Sequence, residues 1–331
     1  MLDLLPLWLS TLIKEIFAIT FNLFKLMIPI IIAVKIIEEL GGIKYIAMAL
    51  EPMMDLVGLP ASMGLVWATT MLTNIYGGMI IFISSSANES LSVAQVTILG
   101  SMMLLAHALP IEVRIAQKAG VRILFTLIIR VGGALLLGFL LHKIYSSGDY
   151  LSQVNNPLWN PPPVTDDSLV TWITGQLIML FQVFIIIAVL VVFLRLLKKS
   201  GIEKLFAILL KPFLKILGLS ERTTSITIIG VTLGLTYGGG LLINEANKGE
   251  LSKMDIFGSI SLLAVAHSLI EDTLLIMLLG ADLSGILYAR LLFSIIVISL
   301  VIQVVKRLDQ SSFERFFVYP EKQIKRNSRS R

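Results

Sequence analysis

Two stretches of sequence decide the fold: Thr73-Asn74-Ile75-Tyr76-Gly77-Gly78-Met79 and Thr236-Tyr237-Gly238-Gly239-Gly240. Each copy of this motif lies midway along an apolar run whose two halves are too short to cross a bilayer, since a spanning helix needs about 20 residues. Adjacent glycines free the backbone and leave its polar groups exposed. At membrane depth, such backbone is tolerated only inside protein or beside a cavity. We therefore predict two facing, glycine-tipped re-entrant hairpins that bind a solute between them.

The composition is that of a membrane protein. The chain has 331 residues, of which 56% are hydrophobic and 15% are charged, and its mean hydropathy is +0.88. Its apolar runs are about twenty residues long and do not alternate, which predicts an all-α polytopic membrane protein rather than a barrel. The absence of cysteine excludes disulfides and thiolate metal sites. The net charge of +5 comes from membrane-flanking loops and the tail, so the expected partner is the lipid bilayer and not nucleic acid.

The two halves of the chain repeat each other, mostly at an offset of 160 residues. The matched positions include Ala106-His107 with Ala266-His267, Glu112 with Asp272, and Arg130 with Arg290. We interpret this as an internal duplication, each copy having a scaffold helix, an interfacial amphipathic helix, a hairpin, a broken helix and a final span. The predicted divisions are a first repeat at 1–145, an extracytoplasmic linker at 146–169, a second repeat at 170–305 and a basic cytoplasmic tail at 306–331.

The amphipathic helices predict that the repeats are inverted. One helix, at residues 43–57, and its counterpart, at residues 202–217, carry polar side chains at matching positions but with different signs of charge; these are Lys44, Glu51 and Asp55 against Lys204, Lys211 and Lys215. The positive-inside rule places the basic helix in the cytoplasm and the acidic one outside. We therefore expect inverted-topology repeats in the cytoplasmic (inner) membrane, with the C-terminus in the cytoplasm.

The hairpins supply the candidate solute-binding groups. Neutral hydrogen-bonding side chains flank the glycines, and an Asn-Glu pair follows the second hairpin closely; the candidates are Thr73, Asn74, Tyr76, Gly77, Gly78, Thr236, Tyr237, Gly238, Gly239, Asn244 and Glu245. The alternative is that the glycines pack helices in the small-xxx-small manner, with the tyrosines as filler. For Asn244 and Glu245, a helix cap at the interface is the other interpretation.

The breaks in the two long helices supply the candidate ion-coupling groups. The sequences are His107-Ala-Leu-Pro-Ile-Glu112 and His267-Ser-Leu-Ile-Glu271-Asp272, each about fifteen residues into its helix. Histidine and carboxylate together suit proton coupling, cation coordination or hydrogen bonding to a solute. Alternatively, the histidines only satisfy freed backbone groups. Arg130 and Arg290 are predicted to be structural counter-ions to the carboxylates rather than ligand contacts.

No motif supports catalysis. The chain has no Walker loop, no zinc motif and no G-x-S-x-G elbow, so we expect neither an enzyme nor a bound cofactor.

These motifs resemble those of membrane proteins that carry two gate (nucleoside-recognition) domains. The domain also occurs in concentrative nucleoside transporters, in the membrane part of the bacterial ferrous-iron transporter and in spore-maturation membrane proteins. The resemblance rests on Pro52 and Pro212 of the amphipathic helices, the Tyr-Gly-Gly motifs and the two histidine-containing breaks. It implies inverted repeats with a solute site between hairpin tips and helix breaks. Tyr76-Gly77-Gly78 stands where the nucleoside carriers have a Gln-Thr-Glu-type tip.

The preferred hypothesis is a secondary carrier for a small polar or anionic solute, such as a nucleoside-like one, coupled to H⁺ or Na⁺ by alternating access. One alternative is a divalent metal-ion permease that uses the histidines and carboxylates of the breaks. Another is a membrane-complex or lipid-handling protein that does not transport. In each case we expect a homo-oligomer, because the scaffold of one chain is incomplete.

Overall fold

The computed structural model describes residues 7–86, 89–159, 168–248 and 251–319. Parts of the predicted linker (160–167) and tail (320–331) lie outside these ranges. The described residues form helices and two isolated β-bridges, with no strand. The first half contains α1 Leu7–Glu39, α2 Gly42–Leu56, α3 Met63–Leu72, α4 Ile75–Ser86, α5 Val93–Leu105, α6 Leu109–Lys118, α7 Ile123–Leu127, a π-helical segment Ile128–Gly132 and α8 Gly133–Gly148.

The second half repeats this order of elements. It contains α9 Leu169–Ser200, α10 Ile202–Ile216, α11 Glu221–Leu233, α12 Leu235–Lys248, α13 Lys253–Val265, α14 Glu271–Met277, a π-helical segment Ser284–Ala289, α15 Arg290–Lys306 and α16 Gln310–Phe316. Helices α1 and α9 have 33 and 32 residues, and α5 and α13 have 13 each. The amphipathic helices α2 and α10 also match, with 15 residues each, although the side chains of Lys44 and Lys204 lie outside the described part.

Five segments within the described residues are long and apolar enough to cross a membrane. They are Trp8–Ile37, Val93–Lys118, Ile123–Gly148, Leu169–Leu197 and Ser284–Lys306. Helices α3 and α4, by contrast, are short and apolar, and they pack against each other as a hairpin. The predicted class, an all-α polytopic membrane protein, is confirmed.

The double glycines do not break the hairpin helices, so this part of the sequence prediction is wrong. Gly77 and Gly78 lie inside α4, and Gly238 and Gly239 lie inside α12. The first turn is made instead by Thr73 and Asn74, whose side-chain oxygen Oδ1 accepts a hydrogen bond from the Gly77 amide at 2.9 Å. The second turn lies at Gly234, whose φ of 102° favours glycine.

The glycines serve the packing of the two arms of each hairpin. A Cβ on Gly78 would collide with Thr70 of the facing arm, and one on Gly238 would collide with the backbone of Gly230. The arms therefore approach more closely than larger side chains would allow. This is the packing role that the sequence analysis considered as the alternative.

The long helices break where the sequence predicts. Helix α5 ends at Leu105 and α13 at Val265, and the next residues leave the helical conformation. Ala108 and Ser268 then take positive φ values of 46° and 47°, which cost a residue with a Cβ about 1–2 kcal/mol. The two strained residues are 160 positions apart, which is the offset that the sequence comparison of the two halves predicts.

Backbone hydrogen bonds tie each hairpin to the break of its own repeat. The Ala108 amide donates to the Thr70 carbonyl at 3.0 Å, and the Leu269 amide donates to the Val231 carbonyl at 2.9 Å. Both acceptors lie near the end of the first arm of a hairpin. The hairpins and the breaks thus form one connected centre.

Contacts at one end of the molecule join the start of α5 to the end of α14. Ser92, the N-cap of α5, forms an isolated β-bridge with Val154. The neighbouring Asn155 donates from Nδ2 to the carbonyl of Leu279, just beyond α14, at 2.8 Å. The first residue of one broken helix therefore lies near the last residues of the other.

Contacts at the other end join the start of α13 to the end of α6. Lys253, the first residue of α13, donates to Glu314 at 2.7 Å. Arg122, which follows α6, donates its amide to the carbonyl of Phe317 at 2.9 Å. Since Glu314 and Phe317 belong to one short segment, the two broken helices run in opposite directions.

Candidate functional site

The two histidines of the breaks meet at the centre of the molecule. Their Nε2 atoms are 3.0 Å apart and their ring centroids are 4.9 Å apart. His107 is 5% exposed and His267 is 3% exposed. The sequence identifies both residues as candidates but does not predict that they touch. Antiparallel repeats bring matched residues together when they lie near the pseudo-twofold axis, and this is the signal that could have revealed the contact.

Glu112 completes a compact group with the histidines. It lies in the first turn of α6, and its Oε1 is 3.1 Å from Nε2 of His107 and 3.1 Å from Nε2 of His267. The three atoms form a nearly equilateral triangle. Glu112 is also buried, so the triangle is shielded from solvent. The three atoms are so close together that a solute larger than an ion cannot lie between them.

The outer nitrogen of each histidine fixes which atom carries the proton. Nδ1 of His107 is 3.1 Å from the carbonyl oxygen of Met103, and Nδ1 of His267 is 2.6 Å from that of Leu263. A carbonyl can only accept a hydrogen bond, so each Nδ1 donates one. In the neutral ring, each Nε2 then points a lone pair at the centre. Two such nitrogens and a carboxylate oxygen are three acceptors in contact, and this arrangement requires a shared proton or metal ion.

The two arginines bind the carbonyls that the breaks release. Arg130 donates to the carbonyls of Leu105 at 3.0 Å and His107 at 2.9 Å. Arg290 donates to those of Val265 at 3.4 Å and His267 at 2.8 Å. Both arginines are fully buried. They cap the first section of each broken helix, a role that the sequence does not reveal because it shows only their charge.

The repeats differ in how arginine meets carboxylate. Arg130 forms an ion pair with Glu112 through Oε2, which leaves Oε1 facing the histidines. Among the described residues, no ion pair joins Arg290 to Asp272. Instead, Asp272 Oδ2 is 3.8 Å from His107 Nε2. This buried oxygen has no hydrogen-bond partner, and neither has Arg290 Nη1.

The candidate residues of the first hairpin are packed rather than arranged around a polar cleft. The Thr73 hydroxyl donates to the carbonyl of Thr69 at 2.7 Å, and Asn74 caps the turn. Tyr76 is buried on α4, and α4 packs against α14, so it lies near Glu271 and Asp272 of the other repeat. This places one neutral hydroxyl beside the centre.

The candidates of the second hairpin do not all reach the centre. The side chains of Thr236 and Tyr237 lie outside the described part of the structure. Asn244 is exposed, and Glu245 forms ion pairs with Arg222 and with Lys248, the latter at 3.0 Å. Arg222 lies in the first turn of α11, so this cluster ties the two arms together at the base of the hairpin.

Glu271 also stands apart from the group of acceptors. Among the described residues, one set of histidine and carboxylate side chains has ligand atoms that all lie within 4.8 Å of one another. This set is His107, Glu112 and His267. Asp272 lies just outside this triangle. Of the five predicted ion-coupling residues, four therefore gather at one point.

Comparisons with known proteins support a membrane protein without assigning an activity. No family model matches the chain, and no solved structure matches it. The chain is 27% identical over 278 residues to a protein of Bacillus subtilis (strain 168) described as the uncharacterized membrane protein YvoD. The match covers 83% of this chain and 87% of that protein. Together with the apolar helices, it shows a multi-pass membrane protein.

Proposed function

We propose that this protein is a secondary transporter in which a cation, held between the two helix breaks, is coupled to alternating access. The observation that carries the proposal is the convergence of three acceptor atoms, two histidine nitrogens and a glutamate oxygen, at 3.0–3.1 Å. Ionisable groups inside a membrane protein are expensive and mark ion pathways. A purely structural core would not bring three lone pairs together.

The antiparallel broken helices support alternating access. If the repeats are inverted across the membrane, one hairpin covers the centre from the outside and the other from the cytoplasm. In the described part of the chain, one backbone hydrogen bond joins each hairpin to its break, at Ala108 or Leu269. Release of one bond at a time would open the centre to one side and keep it closed to the other.

The proposed solute is small and polar or anionic, and the gate-domain resemblance implies that it binds between the hairpin tips and the helix breaks. The histidine triangle is too tight to hold it. Tyr76 and Nη1 of Arg290 are buried polar groups close to the centre, and the latter has no hydrogen-bond partner. An anionic group is the natural partner of a free guanidinium N–H. We propose that such a solute binds beside the cation, with the protein in the cytoplasmic membrane as a homo-oligomer.

Reconstitution into liposomes tests the proposal without knowledge of the solute. The lumen would contain a pH-sensitive dye or a fluorescent metal chelator, and a membrane potential would be imposed. We expect proton or metal-ion entry above that of empty liposomes, lost in Glu112→Gln and retained in Glu51→Gln on the exposed part of α2.

Two results would contradict transport. One is an absence of flux for protons and for every cation tested, in protein that unfolds with the wild-type profile. The other is equal flux in the Glu112→Gln and wild-type proteins. Stable co-purification with another membrane protein, combined with no flux, would favour the non-transporting alternative.

A further inference from the structure

We propose that the cation bound at the centre is a divalent transition-metal ion. Its ligands are Nε2 of His107, Nε2 of His267 and Oε1 of Glu112, with Oδ2 of Asp272 available as a fourth. This inference deepens the proposed function and rests on it only for the step from binding to transport. The binding itself stands on the geometry of the centre.

The distances between the ligand atoms match one face of a metal coordination sphere. Metal–nitrogen and metal–oxygen bonds of about 2.0–2.2 Å place adjacent ligands about 2.8–3.1 Å apart in an octahedron and about 3.3–3.6 Å apart in a tetrahedron. The observed edges are 3.0, 3.1 and 3.1 Å. These edges agree with those of an octahedral face, whereas a tetrahedral site would need them to lengthen by a few tenths of an ångström.

The chemistry of the ligands selects the class of metal. Two imidazoles and one carboxylate on one face form the set found around ferrous iron and related ions, and imidazole also suits zinc, copper and nickel. Calcium and magnesium prefer sites built from oxygen alone. The centre therefore fits Fe²⁺, Mn²⁺, Co²⁺ or Zn²⁺ better than Mg²⁺, Ca²⁺ or Na⁺.

The surroundings of the ligands are those of a built metal site. Histidine ligands are usually held by a hydrogen bond from the other ring nitrogen, and ligating carboxylates are held in turn by a neighbour. Here each histidine donates from Nδ1 to a carbonyl, of Met103 or Leu263. Glu112 is held by Arg130 through the oxygen that faces away from the histidines. All three lone pairs are thus directed inward before any ion binds.

Asp272 is an independent sign of a missing partner. It is 8% exposed, its Oδ2 has no hydrogen-bond partner, and this atom lies 3.8 Å from Nε2 of His107. A buried carboxylate oxygen without a partner is costly. It lies beside the triangle, and no arginine or lysine forms an ion pair with it among the described residues. A bound cation would satisfy it.

Cobalt binding by the full-length protein in nanodiscs tests the inference. Co²⁺ reports its own coordination by visible absorption, and equilibrium dialysis with elemental analysis gives the stoichiometry. We expect about one Co²⁺ per chain, displaced by Zn²⁺ and not by Mg²⁺. His267→Gln and Glu112→Gln should weaken binding by more than the roughly 10–100-fold seen for changes around the ligands. His142→Gln, at the third histidine on α8, should bind as wild type.

The possible outcomes separate this inference from the proposed function. No Co²⁺ bound to wild-type protein, or unchanged binding in His267→Gln, overturns the metal site. If the histidine variant does not fold, Asp272→Asn serves instead, and the wild-type stoichiometry still decides. Proton flux without metal binding would refute the metal site and leave the proposed transport intact. Metal binding without flux would refute transport and leave the metal site intact.

Discussion

Replacement of Arg130 by methionine should be far more damaging than the same change at Arg290. Both substitutions free two buried carbonyls, because each arginine caps the end of one helix section. Of these two arginines, Arg130 alone forms an ion pair with a carboxylate among the described residues, that of Glu112. Removal of one partner of a buried ion pair costs about 3–5 kcal/mol, since the other charge is left uncompensated. We therefore expect Arg130→Met to lower the free energy of unfolding by about 3–5 kcal/mol more than Arg290→Met does.

Equilibrium unfolding in mixed micelles measures this difference, and a double mutant identifies its cause. When Glu112→Gln is added to Arg130→Met, the stranded charge disappears, and about 0.5–3 kcal/mol of the loss should return. The same addition to Arg290→Met should return nothing. Equal losses in the two single mutants, or no recovery in the double mutant, would refute the assignment of the ion pair to one repeat.

Three further predictions concern the hairpin, the tail helix and the orientation of the chain. Gly238→Ala should destabilise the protein by about 1–3 kcal/mol through overpacking, as measured in the same unfolding assay. In Gly240→Ala the new Cβ meets no atom within 4 Å, so this variant should be neutral or stabilised by up to about 1 kcal/mol. Equal effects of the two substitutions would contradict the close approach of the hairpin arms. The hydrogen bond from the α13 lysine holds the pKa of Glu314 below its ordinary value. The stabilisation from this lysine–glutamate pair is therefore complete above about pH 4.3 and is lost as the pH falls through the lowered pKa. Limited proteolysis should release α16 at acid pH in the wild-type protein, and at neutral pH in Glu314→Gln. Because the chain has no cysteine, a single introduced cysteine at an exposed position can be labelled specifically. An impermeant maleimide should label Val154→Cys from outside intact cells and Phe316→Cys only after lysis. Labelling of both variants from one side would exclude inverted repeats.

The sequence predicts the duplication and the breaks because both follow from residue identity at a fixed offset. Ser92 illustrates this at the start of α5, where it forms a capping box with Gln95, and Ser252 caps α13 by accepting a hydrogen bond from the Asp255 amide. Pro110 and the polar residues around the histidines mark where the helices end. These signals are local in sequence, and the helix starts and breaks that they predict are present in the structure.

Other features depend on which surfaces meet, and the sequence does not contain them. Gly77 and Gly78 have a low helix propensity, yet the facing arm of the hairpin holds them in α4, and Asn74 makes the turn instead. The asymmetry between Glu112 and Asp272 depends on side-chain reach within the assembled centre. The capping role of the arginines depends on where the π-helical segments place them, and no spacing rule predicts it.

X-ray absorption at the cobalt edge of the loaded protein identifies the ligands of the ion, because it reports the atoms bound to it. We expect two imidazole groups and oxygen ligands at about 2.0–2.2 Å in the wild-type protein. We expect one imidazole in His267→Gln. A shell of oxygen atoms alone, or an imidazole signal unchanged by that substitution, would contradict a cation held between His107, His267 and Glu112.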